Sequence, residues 1–256
     1  VDKAAHLQEE IITAYNEYEF HVVVHKLMNF CTTELGGFYL DIIKDRQYTA
    51  KADSNARRSC QTAMYLIAEA MTAWMAPILS FTAQEIWQAL PTPVTGERDE
   101  FVFTGVWFDG LATMSEDAEL GNNYWSELLL VRGEVNRALE LARKEKTVGK
   151  ALEAQVTLYA TPDLAGKLAQ LGEELRFVLI TSKADIEVVS EVGDVPEGAD
   201  ATDVEGLWLT VSAAEGVKCD RCWHVTEDVG ADDTHPELCG RCITNVDGEG
   251  EQRQYA

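Results

Sequence analysis

The sequence predicts a mainly α-helical chain, followed by a small α+β unit and a cysteine-rich C-terminal module. Apolar residues recur at three- and four-residue spacing through about the first ninety positions, which is the pattern of amphipathic helices. After Gly149 the pattern changes to alternation, which is typical of short strands. Four of the six cysteines then lie in two Cys-x-x-Cys pairs near the C-terminus. We therefore expect three parts, with boundaries at 1–150, 151–214 and 215–256.

The helical part divides at residues that commonly begin or end helices. Gly36-Gly37 interrupts an apolar run and predicts a kink or a helix boundary. Asp53 or Ser54 is a suitable N-cap for the next helix, which is expected to run as far as Pro77. A further helix is expected to stop before Pro91, and a long one should begin near residue 122 and end near Gly149.

The α+β unit is predicted from four short apolar runs and one helical pattern. The helix is expected over 163–171, and the strands over the following segments: 154–160, 177–180, 186–189 and 207–211. The acidic stretch 191–205 contains Pro196 and two glycines, which favour a loop.

Composition and charge exclude several classes of protein. The 256 residues include 21 basic and 44 acidic side chains, a net charge of −23, so the chain does not coat nucleic acid through bulk positive charge. Any nucleic-acid site must be local. No run of eighteen apolar residues is present, and the first residues lack the apolar core of a signal peptide. We expect a cytoplasmic chain without a membrane partner. Because it lacks an initiator Met, we also expect a piece of a longer protein.

The sharpest chemical signal is the pair of motifs Cys219-Asp-Arg-Cys222 and Cys239-Gly-Arg-Cys242. Two thiolates from each tight turn can complete a tetrahedral Zn²⁺ site with four sulfur ligands. Such a site has no open position, so we expect one structural zinc ion and no catalytic residue. Two alternatives stay open: redox or disulfide-forming pairs, and substitution of a ligand by His224 or His235.

Local cations and aromatic residues offer candidate contacts for RNA. Around the zinc ligands lie four of them: Lys218, Arg221, Trp223 and Arg241. An exposed tryptophan gives an unpaired base a stacking surface, and arginine pairs with phosphate. The alternative for Trp223 is that it packs over the zinc loops. From spacing alone the two readings are equal.

Two further basic clusters lie in the helical part. Lys144 and Lys146, with Arg143 and Lys150, are candidate RNA contacts, but cations at a helix C-terminus also offset the helix dipole. The other cluster comprises Lys44, Arg46, Lys51, Arg57 and Arg58. We interpret it mainly as a solvent-exposed surface, and the alternative is that it faces phosphate.

Several motifs resemble class I isoleucyl-tRNA synthetases of the bacterial type. The motifs of the family's helical anticodon-binding domain are similar to these segments: Tyr18–His21, Asn29–Cys31, Phe38–Arg46 with Tyr48 and Thr49, and Ala76–Ala83 with Glu85–Trp87. Val148–Ala154 is similar to the entry into the C-terminal extension. The zinc-bearing tail is matched by Cys219–His224, His235-Pro236, Leu238–Cys242 and Asn245-Val246. The synthetases for valine and leucine share part of the first block, whereas the Cys-x-Arg-Cys-Trp-His tail selects isoleucine.

The resemblance covers essentially the whole chain, with small departures at Gly36-Gly37 and at Gln47. It implies a helical anticodon-binding bundle and a zinc tail whose Arg221 and Trp223 meet the anticodon loop of isoleucine tRNA. The family's two nucleotide-binding signatures and its editing domain are absent from the sequence. The resemblance therefore implies that the parent protein is an ATP-dependent isoleucine–tRNA ligase, and that this monomeric part alone is inactive. The alternatives are a free-standing zinc-containing module that binds RNA or protein, and a stand-alone enzyme.

Overall fold

The computed structural model describes residues 1–93, 97–115 and 118–256. The chain forms two compact units. The first comprises residues 1–41 and 58–118, and the second comprises residues 42–57 and 119–256. A segment from the middle of the helical region thus belongs to the same unit as the cysteine-rich tail. The boundaries expected at residues 150 and 214 stay predictions.

Helices dominate the chain up to residue 144. They are α1 (Asp2–Asn16), α2 (Phe20–Asn29), a π-helical stretch (Phe30–Tyr39), α3 (Leu40–Thr49), α4 (Asn55–Met75), α5 (Ser80–Ala89), a 3₁₀ turn (Val102–Thr104) and α6 (Asn122–Lys144). The prediction of a mainly helical chain is confirmed.

The core of the first unit is built around Trp74, whose side chain is fully buried. Its indole N–H donates to Oε1 of Gln8 at 2.9 Å, and its carbonyl accepts from the Tyr15 hydroxyl at 2.7 Å. The apolar stripe of α1 lies in the same cluster, with Leu7 and Ile11 buried. An amphipathic helix is expected to bury this stripe, because apolar side chains three and four residues apart share one face.

Gly36 and Gly37 do not end a helix, which corrects the boundary that the sequence suggested. They lie within the π-helical stretch, so the helical backbone continues through them. A Cβ added to Gly36 would lie 3.0 Å from the carbonyl oxygen of Cys31, five residues earlier. The wider i→i+5 turn brings these groups together. Glycine therefore fits this position because it has no Cβ.

The helix that follows begins as the sequence predicts. The Ser54 hydroxyl accepts the backbone N–H of Arg57 at 3.2 Å, directly before α4. This is an N-cap, in which a side-chain oxygen satisfies one of the first free amides of a helix. Ser54, rather than Asp53, is the capping residue.

The second unit contains a four-stranded sheet of order β2-β1-β4-β3. Its strands are β1 (Ala154–Ala160), β2 (Lys183–Val188), β3 (Asp200–Ala201) and β4 (Leu207–Ala213). β1 pairs with β2 in parallel and with β4 antiparallel. In β1 every second residue is fully buried, as the alternation predicts. Two helices, α7 (Pro162–Leu168) and α8 (Leu175–Leu179), lie between β1 and β2.

One predicted strand is wrong. Phe177–Leu179 forms the end of α8, and Ile180 follows the helix with a left-handed φ of 59°. Phe177, Val178 and Leu179 are all buried. A short apolar run that is buried on every side has no period, so periodicity cannot separate a core helix from a core strand.

The tail adds the hairpin β5 (Val217–Lys218) and β6 (Val225–Thr226), and the short helix α9 (Gly240–Val246). Across the described ranges, the helices all fall short of the length and apolar character that a bilayer crossing requires.

Candidate metal centre and nucleic-acid interface

The four cysteines of the two Cys-x-x-Cys pairs meet in the tail. Their sulfur atoms all lie within 4.8 Å of one another: Cys219, Cys222, Cys239 and Cys242. All four side chains are buried. The first pair lies in the turn of the β5–β6 hairpin, and the second pair begins at the N-cap of α9. The sequence spacing therefore brings two turns together as expected.

The sulfur geometry fits a tetrahedral zinc ion. A Zn–S bond of about 2.3 Å places two sulfurs about 3.8 Å apart in a tetrahedron. The Sγ atoms of Cys222 and Cys239 are 3.7 Å apart, which is far longer than a disulfide. The described cysteines form no disulfide. The donor set and its spacing both favour Zn²⁺ with four thiolate ligands.

The thiols also influence each other's protonation. Hydrogen bonds from Cys239 and Cys242 lower the pKa of Cys222. The hydrogen bond to Cys222 in turn raises the pKa of Cys239 to about 11. A metal must therefore displace protons from this cluster, and its apparent affinity falls as the pH falls.

The backbone of each turn is fixed close to the sulfurs. The Trp223 amide donates to the carbonyl of Cys219 at 2.9 Å, and the Cys219 amide donates to the carbonyl of His224. In the second turn the Ile243 amide donates to the carbonyl of Cys239. The Asp228 carboxylate accepts the amide of Gly240 at 2.8 Å and joins the hairpin to α9. These bonds make the two turns a small rigid frame.

Arg241 is held inside the second unit by an acidic side chain of α3. Its guanidinium donates to both carboxylate oxygens of Asp45, each at 2.7 Å, and to Glu251 at 3.2 Å. Burial raises the pKa of Asp45, but the hydrogen bonds and charges of Arg241 and Arg253 outweigh it and hold the pKa at about 2. Such a two-pronged pair fixes orientation as well as distance. Arg241 was predicted to contact RNA, whereas this position gives it an internal partner.

Arg221 occupies the equivalent position in the first cysteine pair and contacts the same helix. Its guanidinium donates to the carbonyl of Thr49, the last residue of α3, at 2.6 Å. A helix C-terminus presents unsatisfied carbonyls and a partial negative charge, which favour a cation there. The arginine before the second cysteine of each motif thus joins the metal turns to α3.

An aromatic ring completes this contact. The guanidinium carbon of Arg253 lies 3.7 Å from the ring centroid of Phe177, and that of Arg241 lies 5.0 Å from it. The buried His224 ring packs edge-on against the same phenyl ring at 5.7 Å. Phe177 thus provides a flat apolar surface on which the charged groups stack.

Trp223 is largely exposed to solvent. Its side chain is 60% exposed, and its backbone has a left-handed φ of 66°. This conformation is unfavourable for a bulky residue, and such strain persists only where the surrounding structure imposes it. The Lys218 ammonium lies 5.9 Å from the indole centroid. Of the predicted RNA contacts in the tail, Lys218 and Trp223 are the ones that face solvent.

The two histidines near the cysteines have other surroundings. His224 is buried against Phe177, and neither it nor His235 joins the cluster of sulfur atoms. The His235 ring is ion-paired with Asp247 at 2.5 Å. The alternative in which a histidine replaces a thiolate therefore has no support in this geometry.

Lys144 and Lys146 lie at the end of α6. They line a cleft of about 410 Å³ together with Arg143, Val148 and Gly149. Arg143 is paired with Glu140, whereas Lys144 and Lys146 form no ion pair with any described residue. Lys146 has a left-handed φ of 64°. The cleft is thus an open surface with two available ammonium groups.

The basic residues of α3 and of the turn after it differ in their exposure. Arg46 is buried and donates to the carbonyl of Ala256, and Lys51 donates to the carbonyl of Gly248. The Lys51 amide also donates to Asn245. These cations connect α3 and the turn after it to the tail. The sequence does not predict that Arg46 and Lys51 hold the tail, because residue spacing gives no information about partners about two hundred positions away.

Two family models match the chain. The model described as anticodon-binding domain of tRNA ligase matches residues 1–158. The model described as zinc finger found in FPG and IleRS matches residues 216–245. The first match extends over more than half of the chain, so the chain belongs to the family of tRNA-ligase anticodon-binding domains. Together with the four converging cysteines, the second match confirms the prediction of one structural zinc ion.

Curated relatives identify a more specific group of similar proteins. Over its whole length the chain is 78% identical to isoleucine–tRNA ligase of Colwellia psychrerythraea, of which it covers 27%. It is also 59% identical to the enzyme of that name from Aeromonas hydrophila and 57% identical to the one from Vibrio campbellii, and it covers 26% of each. The chain thus spans about a quarter of the length of these relatives. The resemblance to isoleucyl-tRNA synthetases is confirmed.

Removal of one thiolate should release the metal. We expect about one zinc ion per chain in the intact protein, and a large loss in Cys222→Ser, because three sulfurs leave the ion incompletely coordinated. Chelation should unfold the tail and leave the helices of the first unit intact. Elemental analysis and circular dichroism measure both effects. Cys31→Ser, outside the cluster, is the control, and an ordered tail without metal would contradict the assignment.

Loss of the Asp45 charge should loosen the tail. Asp45→Asn is expected to lower the free energy of unfolding of the second unit by about 2 kcal/mol, from the shift between the ordinary pKa of 3.8 and about 2. A lowered pKa stabilises the fold above the unfolded pKa. The loss should therefore be constant between about pH 5 and 8, where Asp45 is ionised in both states.

Denaturant unfolding of the zinc-loaded protein measures this difference. Asp53→Asn is the matched control, because Asp53 is exposed and lies in the same segment of the chain. An equal loss in both variants would show that Arg241 does not depend on Asp45.

Proposed function

We propose that this chain is the tRNA-binding part of an isoleucine–tRNA ligase and that it contacts the anticodon stem-loop of isoleucine tRNA. The observation that carries the proposal is Trp223, an exposed aromatic ring on a rigid metal turn, in a chain of the anticodon-binding family. Unpaired loop bases can stack on such a ring, and they are the part of an RNA that a protein reads most readily.

The longer protein would attach isoleucine to its tRNA with ATP. In that reaction this chain supplies binding and position, and it supplies no catalytic residue. The curated relatives bear the name isoleucine–tRNA ligase and are about four times as long, which supports a division of labour along one polypeptide. We place the protein in the cytoplasm and expect this part to be monomeric.

Charge favours a small, defined contact area. Residues 151–256 contain 7 basic and 22 acidic side chains, so most of this surface repels phosphate. Lys218 lies beside Trp223, and Lys144 and Lys146 line the cleft at the end of α6. These exposed cations, and not Arg241, form our proposed set of phosphate contacts. Arg221 acts chiefly by holding the first metal turn on α3.

A gel-shift titration with deacylated isoleucine tRNA and a non-cognate tRNA tests the proposal. We expect the zinc-loaded chain to bind the cognate tRNA more tightly. Equal binding to both would overturn the assignment to isoleucine, and binding to neither would overturn the role of this chain in tRNA recognition.

Trp223→Ala should weaken cognate binding by about 1–3 kcal/mol, which is the contribution of one stacked base. Zinc content should stay at one ion per chain, because the indole is mainly exposed and the four ligands are cysteines. Elemental analysis and tRNA affinity are measured on the same preparation. Loss of zinc before loss of affinity would instead show that Trp223 covers the metal turns.

The cleft at the end of α6 should contribute through charge alone. Replacing Lys144 and Lys146 together with alanine should reduce the slope of log affinity against log salt by about 1–2, since each phosphate contact contributes roughly 0.7–0.9. Affinity should fall for cognate and non-cognate tRNA alike. Lys167→Ala is the control, because that lysine is already paired with Glu127. An unchanged slope would remove both lysines from the interface.

A further inference from the structure

A second exposed aromatic residue lies on the helix that holds the metal turns. Tyr48, in the last turn of α3, is 77% exposed. In the described part of the second unit, Tyr48 and Trp223 are the two aromatic side chains that are mainly exposed. Among the described residues, the Tyr48 side chain forms no hydrogen bond and no ring contact. Most of its ring is therefore available to a flat ligand.

The two aromatic residues flank one hydrogen bond. Arg221 lies two residues before Trp223, and its guanidinium donates to the carbonyl of Thr49, the residue after Tyr48. The bidentate pair of Arg241 with Asp45 fixes the same helix one turn earlier. Tyr48 and Trp223 thus belong to neighbouring segments whose relative position is fixed by two charged contacts.

The charge around Tyr48 suits an RNA strand. Asp45, three residues before Tyr48, is already compensated by Arg241 and Arg253. The acid nearest to the ring on this helix therefore presents little uncompensated charge to a phosphate. An exposed aromatic ring can take an unpaired base by stacking, because every base has a flat π-face.

We propose that Tyr48 provides a second stacking surface, which takes an unpaired base of the same RNA loop that contacts Trp223. This inference rests on the proposed function. It adds a residue of the helical part to the interface, and it assigns to α3 a role in base contact besides holding the metal turns. A single exposed tyrosine is common on protein surfaces, so the argument depends on its connection to Trp223 through Arg221 and Thr49.

The test uses the zinc-loaded chain and two RNA probes: the anticodon stem-loop hairpin of isoleucine tRNA, and a fully paired duplex of the same length. Tyr48→Ala should weaken hairpin binding about 5- to 150-fold, the equivalent of about 1–3 kcal/mol, and leave duplex binding unchanged. Tyr48→Phe should bind the hairpin within about twofold of the parent, because the ring remains. Tyr48→Leu should behave like alanine, since it keeps apolar bulk without an aromatic face.

Zinc content and the salt dependence of binding should be the same in all three variants, because no charge and no ligand is removed. Leu130→Ala is the matched control, since Leu130 is 65% exposed in the same unit and lies outside α3. In a double variant with Trp223→Ala, the two fold-losses should multiply, as expected for separate bases.

Three outcomes would overturn the proposal. Hairpin affinity that is unchanged in Tyr48→Ala, while Trp223→Ala weakens it, would remove Tyr48 and leave the proposed function standing. A double variant no weaker than Trp223→Ala alone would show that Tyr48 acts only through Trp223. If the parent chain does not bind the hairpin, the proposed function of this chain fails and the role of Tyr48 fails with it.

Discussion

The ion pair between Asp45 and Arg241 determines how the tail of the second unit is arranged. It is largely buried and bidentate, and Arg253 and Glu251 extend it into a small network. Removing one partner leaves the other charge unpaired and costs stability, whereas replacing both by apolar side chains would change the free energy of unfolding little, because desolvation of the two charges offsets their attraction. The value of the pair is orientation, since one planar guanidinium meets two carboxylate oxygens in only a few geometries. This pair therefore selects which side of the metal turns packs against α3 and which side faces solvent.

The metal and the arginines have complementary tasks. Zinc would hold the two turns to each other, because this short segment with many acidic residues and glycines has little apolar surface to bury. Arg221 and Arg241 then hold the joined turns to α3. Both arginines bind α3 and are only partly exposed to solvent. Trp223 and Lys218 are the exposed residues of the metal turns that remain as candidates for RNA contact. The left-handed backbone conformation of Trp223 persists because hydrogen bonds on both sides of the residue fix the turn.

The sequence predicts the parts of this chain that depend on local spacing. Amphipathic stripes locate the helices, the alternation locates β1, and the Cys-x-x-Cys spacing leads to the metal cluster. Prediction fails where the answer depends on distant partners. Phe177 lies in an apolar run whose period is hidden by complete burial, and Arg241 looks like a surface cation until Asp45, 196 positions away, is seen beside it. A basic residue in an RNA-binding family therefore cannot be assigned to RNA by type alone.

The structure shows where the strong negative charge of the chain is compensated and where it stays exposed. Among 44 acidic side chains, a few such as Asp45 are compensated internally, and the others keep phosphate away from most of the surface. Long-range repulsion is screened beyond about 10 Å at moderate salt, whereas stacking and short ion pairs act at contact. A chain with this charge can therefore bind RNA only at local sites, where aromatic faces or exposed lysines are available. Specificity then follows from geometry, because an RNA that cannot place unpaired bases at the aromatic faces gains only the contacts of the lysines.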